Sequence, residues 1–131
     1  MGENLQVLVI EDNDIDLLLA TKLLQLADAS VEVSHCENGE AAVAHLQQGK
    51  QYHVVLLDLN MPVMSGLEFL KARTELKLLC STPIVVLSSS VDERDMLKCK
   101  ELKANHYMEK PLNLSKAKEI LALCSVSTVA G

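Results

Sequence analysis

Aromatic residues are nearly missing from this chain: two tyrosines, one phenylalanine and no tryptophan in 131 residues. Its core must therefore be aliphatic, built from Leu, Val, Ile, Ala and Met, and a hydrophobic content of 49% is enough for a fold that needs no metal or disulfide support. No apolar run is long enough to span a bilayer. The start, Met1-Gly2-Glu3-Asn4-Leu5, lacks the basic region and apolar stretch of a secretory signal. The four cysteines (Cys36, Cys80, Cys99, Cys124) show no paired short spacing, so they read as reduced core thiols of a cytoplasmic protein rather than a disulfide or zinc set. Positive charge is also in deficit. A net charge of −6 repels phosphate backbones and makes the domain alone a poor nucleic-acid binder. Sequence repeats, linkers and low-complexity stretches are absent too, and the length suits one domain.

What is present is an alternation of short apolar runs with segments of helical period. Leu5–Ile10 reads as a buried strand, followed by a helix with Ile15, Leu18, Leu19, Leu23 and Leu26 on one face, taken as core packing rather than a partner zipper. Val31–His35 alternates as a strand. Asn38-Gly39 opens a helix carrying Ala42, Val43 and Leu46 and closed by Gly49. The strongest strand, His53–Asp58, leads through a Pro- and Gly-containing loop (Asn60–Gly66) into a helix around Leu67–Thr74. Pro83–Ser88 is the fourth strand, and Asp92 caps a weakly amphipathic helix ending near Leu102. A short strand around Asn105–Met108 ends at Lys110-Pro111. Asn113 then caps a helix with Leu114, Ala117, Ile120, Leu121 and Cys124 on one face. Five β-then-α units with near-continuous apolar strands mean an α/β, doubly wound parallel sheet, covered on both faces. The ligand site of such a sheet lies at the carboxyl ends of its strands.

Those ends carry Glu11 and Asp12 after the first strand, Asp58 after the third, Ser88 and Ser89 after the fourth, and Lys110 after the fifth. Singly, each has an ordinary explanation. Glu11-Asp12 suits a helix N-terminus, Asp58 and Ser88 suit turns, and Lys110 suits a solvated surface. Together they would place three carboxylates, a hydroxyl and an ammonium at one sheet edge. Three close carboxylates stay ionised only around a cation, with a lysine offsetting part of the charge. An open, oxygen-only site suits magnesium. An aspartate beside both is a plausible nucleophile toward a phosphoryl group.

Four segments carry a resemblance: Val9-Ile10-Glu11-Asp12-Asn13-Asp14, Leu56-Leu57-Asp58-Leu59-Asn60-Met61-Pro62-Val63-Met64-Ser65-Gly66, Pro83-Ile84-Val85-Val86-Leu87-Ser88-Ser89 and Tyr107-Met108-Glu109-Lys110-Pro111. They resemble the signatures of two-component response-regulator receiver domains, over essentially the whole chain; the likeness is to the single-domain, chemotaxis-regulator type. The resemblance implies a flavodoxin-like sheet in the order 2-1-3-4-5 with five helices, a single receiver domain over 1–131 with its core at about 5–124. Asp58 would accept a phosphoryl group from a phosphohistidine on a sensor histidine kinase or histidine phosphotransfer protein. Asp12, Asp58 and the backbone carbonyl of Asn60 would bind Mg2+, with Glu11 acting through water. Ser88 would be the switch hydroxyl, Tyr107 the aromatic that moves with it, and Lys110 the partner of Asp58 and then of the phosphoryl group. The Lys110-Pro111 bond would be cis.

Glu at position 11 and Ser at position 88 stand where Asp and Thr are commoner in the family, and both keep the functional group needed. The chain would signal to an unidentified output protein through the face of its fourth helix, fifth strand and last helix. It would not be an enzyme, although the acyl phosphate would slowly clear itself. A dehalogenase-type phosphatase needs a second Asp two residues after the nucleophile, where Asn60 stands. A pseudo-receiver would lack one of Asp12, Asp58 or Lys110, and none is missing. The chain reads as a complete single-domain regulator or as a receiver excised from a hybrid kinase; the start at Met1 and a short uncharged tail favour the first. Asn60 and Ser90 flank the site with short polar side chains. The four histidines (His35, His45, His53, His106) share no metal-ligand spacing and read as surface or strand-end residues. Lys98, Lys100 and Lys103 read as a solvated helix face.

Overall fold

Strand by strand, apolar side chains fall alternately to two sides, and the resulting sheet is buried twice over. The computed structural model describes residues 4–61, 64–89, 92–104 and 106–129, with side chains to 124. Pro62, Val63, Ser90 and Asn105, all named above, lie outside them. The order is β1 (Leu5–Ile10), α1 (Asp14–Ala27), β2 (Val31–Cys36), α2 (Gly39–Leu46), β3 (Val54–Asp58), α3 (Gly66–Leu76), β4 (Ile84–Ser88), α4 (Glu93–Glu101), β5 (His106–Glu109) and α5 (Leu114–Val129). The strands pair in parallel in the order β2-β1-β3-β4-β5, the doubly wound arrangement expected. Among the described residues no helix is long and apolar enough to cross a membrane.

The alternation decides which side chains meet which helices. Val7, Val9, Val54, Leu56, Val85 and Leu87 form one core with Ala20 and Leu24 of α1 and Ala117, Ile120, Leu121 and Cys124 of α5. Leu8, Ile10, Val55, Leu57, Ile84 and Val86 form the other with α2, with Phe69 and Leu70 of α3, and with Cys99, the single buried residue of α4. Continuing the period past the strand ends puts Glu11 and Asp58 on the α1/α5 side. Ser88 falls on the opposite side, in step with Ile84 and Val86.

Helix ends follow the local chemistry. Asn13, Asn38 and Asp92 cap α1, α2 and α4 with their side-chain oxygens. Ser65 opens α3 in a capping box with Glu68. Asn113 accepts from the Lys116 N–H at 2.8 Å at the start of α5.

Two expectations are corrected. The predicted core face of α1 is largely outside: Ile15 is 77% exposed and Leu26 74%, with Leu18 and Leu19 also exposed. The buried stripe is Ala20 and Leu24, flanked by Leu17, Leu23 and Ala27. Leu26→Gln should therefore change the unfolding free energy by no more than about 0.5 kcal/mol, measured by urea titration; a loss of core-residue size would contradict this burial. Nor are all the cysteines core thiols. Cys36, Cys99 and Cys124 are buried, but Cys80 is exposed. Burial pushes the Cys99 and Cys124 thiols up to about 11, which removes their thiolate at neutral pH. Native protein treated with iodoacetamide at pH 7.5 should thus gain one adduct, on Cys80, and denatured protein four; rapid labelling of a second thiol in the native state would contradict this.

Candidate phosphoacceptor site

Glu11 directly follows β1, Asp58 ends β3, Ser88 ends β4 and Lys110 directly follows β5. The parallel sheet therefore delivers them to one edge. β1 and β3 are adjacent, so Glu11, Asp12 and Asp58 converge: each offers a carboxylate oxygen, all within 4.8 Å of one another. Glu11 is 3% exposed and Asp58 6%, whereas Asp12 faces solvent. Three carboxylates at this spacing, two of them buried and one open to water, suit a hard cation that retains water ligands.

The backbone around them is pinned. The Glu11 N–H donates to the Cys36 carbonyl at 3.0 Å and the Leu59 N–H to that of Leu87 at 3.0 Å. The Glu11 carbonyl accepts from His35 Nε2 at 2.7 Å; because a carbonyl only accepts, that nitrogen carries the proton. The Asn60 N–H donates to Asp58 Oδ1 at 3.3 Å and the Asn13 N–H to Glu11 Oε2 at 3.3 Å. The Lys110 N–H donates to the Ser88 carbonyl at 2.7 Å, tying the β5 loop to β4. The Lys110-Pro111 peptide is cis. Ser88 is fully buried, and Tyr107 is half-buried against the core on the α2/α3/α4 side, the side to which Ser88 belongs.

Lys110 Nζ sits 3.0 Å from Glu11 Oε1, 2.8 Å from Asp16 Oδ2 and 3.5 Å from Asp58 Oδ1. The ion pair with Asp58 is present, yet the two shorter contacts go elsewhere. Asp16 was not singled out in the sequence, where it looks like one of several acids in a helix first turn. Burial works against the Lys110 charge, but hydrogen bonds to Asp16 and Glu11 and the Asp58 carboxylate outweigh it and hold the ammonium above the usual lysine range. Burial also pushes the Glu11 carboxyl up to about 7, with the Lys110 hydrogen bond opposing and the Asp58 charge reinforcing the rise. Asp58 is likewise raised by burial, against the pull of Lys110. Burial therefore opposes ionisation at this edge, and Lys110 offsets only part of it.

A second residue escaped sequence reading. Arg73 of α3 is buried, donating from Nη1 to the Leu79 carbonyl at 3.0 Å and from Nη2 to those of Leu102 and Lys103 at 3.2 Å. It ties the end of α3 to the end of α4. Its spacing from Phe69 and Leu70, on the buried stripe of the same helix, was the available signal.

Comparisons with known proteins agree with this fold. The family profile of the response regulator receiver domain matches residues 7–122. The chain is 33% identical over 131 residues to the two-component response regulator ARR17 of Arabidopsis thaliana, covering 92% of this chain and 84% of that one. Among solved structures it is similar to the bacteriophytochrome response regulator AtBRR, with a TM-score of 0.80, 30% identity and 95% of each chain covered. It is also similar to the phosphorylated cyanobacterial phytochrome response regulator RcpA, with a TM-score of 0.76, 29% identity, and 94% of this chain and 91% of that one covered.

Proposed function

This chain belongs to the response regulator receiver domain family of two-component signalling, and on that premise we propose that Asp58 is its phosphoacceptor. The carrying observation is the placement of Asp58 at the end of β3, inside the acidic cluster and 3.5 Å from the Lys110 ammonium. A carboxylate oxygen of Asp58 attacks the phosphorus of a phosphohistidine. A P–O bond forms, the P–N bond breaks, and its electron pair leaves with the imidazole, which takes up a proton. The RcpA relative, crystallised in phosphorylated form, supports this chemistry.

Asp12, Asp58 and the Asn60 carbonyl would hold Mg2+, with Glu11 reaching it through water. When bound, the ion neutralises charge on the nucleophile and on the phosphoryl oxygens. The residues present fit it, because three carboxylates within 4.8 Å at a solvent-open rim are a hard-cation donor set. Lys110 screens the approach of donor to acceptor and then pairs with the phosphoryl group. The new dianion draws in the Ser88 hydroxyl, and Tyr107 follows. Ser88 and Tyr107 share the α2/α3/α4 side of the sheet, so the change reaches α4 and β5, read by an output protein not yet identified.

The donor is a sensor histidine kinase or histidine phosphotransfer protein. The exposed apolar stripe of α1 begins within one turn of Asp12 and supports docking of that donor. We take residues 1–131 as one cytoplasmic receiver domain with its core at about 5–124, acting as a switch and not as a turnover enzyme. Asn60 in place of a second acid supports slow self-clearing.

Incubation with magnesium and acetyl phosphate should add one phosphoryl group by intact mass, and none to Asp58→Asn. No gain in the unmodified protein, under conditions where magnesium binds, would overturn the phosphoacceptor reading. Release of many equivalents of phosphate per protein would favour the phosphatase alternative.

A further inference from the structure

We propose that Asp16 is a positioning residue: it anchors the Lys110 ammonium away from Asp58 in the unmodified protein and has to release it when Asp58 is phosphorylated. The inference rests on the phosphoacceptor reading and adds to it a residue that sets the balance between the two states.

The distances make the case. An ammonium donates three hydrogen bonds, and the two good ones from Lys110 go to Asp16 Oδ2 at 2.8 Å and Glu11 Oε1 at 3.0 Å. Asp58 Oδ1, at 3.5 Å, lies beyond ordinary hydrogen-bond range. Asp16 is held firmly for this task. Its own N–H is fixed by the Asn13 cap at 2.9 Å, in the first turn of α1. The side chain therefore projects from a rigid element toward Lys110, which approaches from the far end of the sequence.

A phosphoryl group on Asp58 brings about two negative charges and three acceptor oxygens. Pairing with that group draws Nζ toward Asp58, against its contacts with Asp16 and Glu11. Glu11 is the deeper partner, with 3% of its side chain exposed, while Asp16 is 39% exposed. The Asp16 arm is more easily satisfied by water, so it is the one that lets go. The ordinary explanation of Asp16, an acid favoured by the helix dipole, accounts for its place in α1 but not for the short contact to a lysine ninety-four positions away.

The test uses beryllium fluoride with magnesium, a noncovalent stand-in for the acyl phosphate, titrated calorimetrically against wild type, Asp16→Asn, Asp16→Glu, Lys110→Met and the Asp16→Asn/Lys110→Met double variant. Asp16→Asn should bind about threefold to fivefold tighter than wild type, the worth of one half-exposed ion pair. Asp16→Glu should return toward wild type, and the gain should vanish in the Lys110→Met background. Equal affinity for wild type and Asp16→Asn would overturn the proposal. So would an equal gain in both backgrounds, because Asp16 would then act by simple charge repulsion. If wild type takes up neither beryllium fluoride nor phosphoryl from acetyl phosphate, the phosphoacceptor reading fails and this proposal with it. If wild type takes up both and Asp16→Asn behaves identically, only the role of Asp16 fails.

Discussion

Gly66→Ala should destabilise the fold by about 3 kcal/mol and slow phosphoryl uptake at Asp58 in the same protein. A Cβ on Gly66 would sit 2.8 Å from Leu59 Cα and 2.9 Å from the Asp58 carbonyl oxygen. Both atoms are backbone, so no rotamer change relieves the clash. The Gly66 N–H also donates to the Leu59 carbonyl at 2.9 Å, closing the loop that carries Asn60 and Met61 back onto β3. Relief must come from moving α3 or from moving the peptide that carries Asp58, and the second route disturbs the proposed phosphoacceptor and the Asn60 N–H that points at it. Gly39→Ala is the matching control. Its Cβ would first meet Cγ and Sδ of Met64, a flexible side chain, at 2.9 and 3.0 Å, with the Met64 carbonyl at 3.1 Å. Urea unfolding should rank Gly66→Ala clearly below Gly39→Ala, and acetyl phosphate labelling should be slowed in the first. A Gly66→Ala protein as stable and as reactive as wild type would refute this account of the glycine.

The long loop from Asp58 to Gly66 was the most specific sequence feature, and the clash explains why a glycine must close it. More generally, the sheet was legible because its strands are buried on both faces. Val54–Leu57 and Ile84–Leu87 are continuous apolar runs, and the residues that end such runs in a parallel sheet meet at one edge. The sequence alone thus brings Glu11, Asp58, Ser88 and Lys110 to one edge.

The face of α1 was not legible, for a physical reason. α1 holds more leucines than the core can accept, and the set Ile15, Leu18, Leu19 and Leu26 is as helical in period as Leu17, Ala20, Leu24 and Ala27. Only packing against β2 and α5 decides between the two stripes, and it selects the one containing alanines, which lets the helices come close. Asp16 escaped for a related reason. Its partner Lys110 is distant in the chain, and nothing local marks an acid in a helix first turn as more than a dipole partner. Arg73 was hidden because arginines are usually exposed, although its place three residues after Leu70 was a cue.

Magnesium affinity should rise with pH and then level off near neutrality, and Glu11 gives the reason. Burial raises its carboxyl from an ordinary 4.5 to about 7 in the folded protein. Between those values the unfolded chain has already lost the proton while the folded one retains it. In cation-free protein, the stability contributed by Glu11 is therefore full below pH 4.5 and is lost as pH climbs toward 7. A divalent cation among Glu11, Asp12 and Asp58 needs the ionised form, so below pH 7 its binding must expel that proton. One pH unit below the carboxyl's own value costs about a factor of ten in affinity, so magnesium should bind about tenfold more weakly at pH 6 than at pH 8. The rise in Asp58 acts in the same direction, and Lys110 stays charged throughout because its carboxylate partners hold it above the usual range. His35 touches the Glu11 carbonyl, so His35→Gln should keep the same slope if the effect belongs to Glu11. With no tryptophan in the chain, calorimetry is the suitable measurement, and titrations in buffers of different ionisation enthalpy should count a proton released at pH 6 and none at pH 8. Equal magnesium affinity at the two pH values, or binding at pH 6 without proton release, would show that Glu11 is already ionised and would remove the strain that makes this edge want a cation.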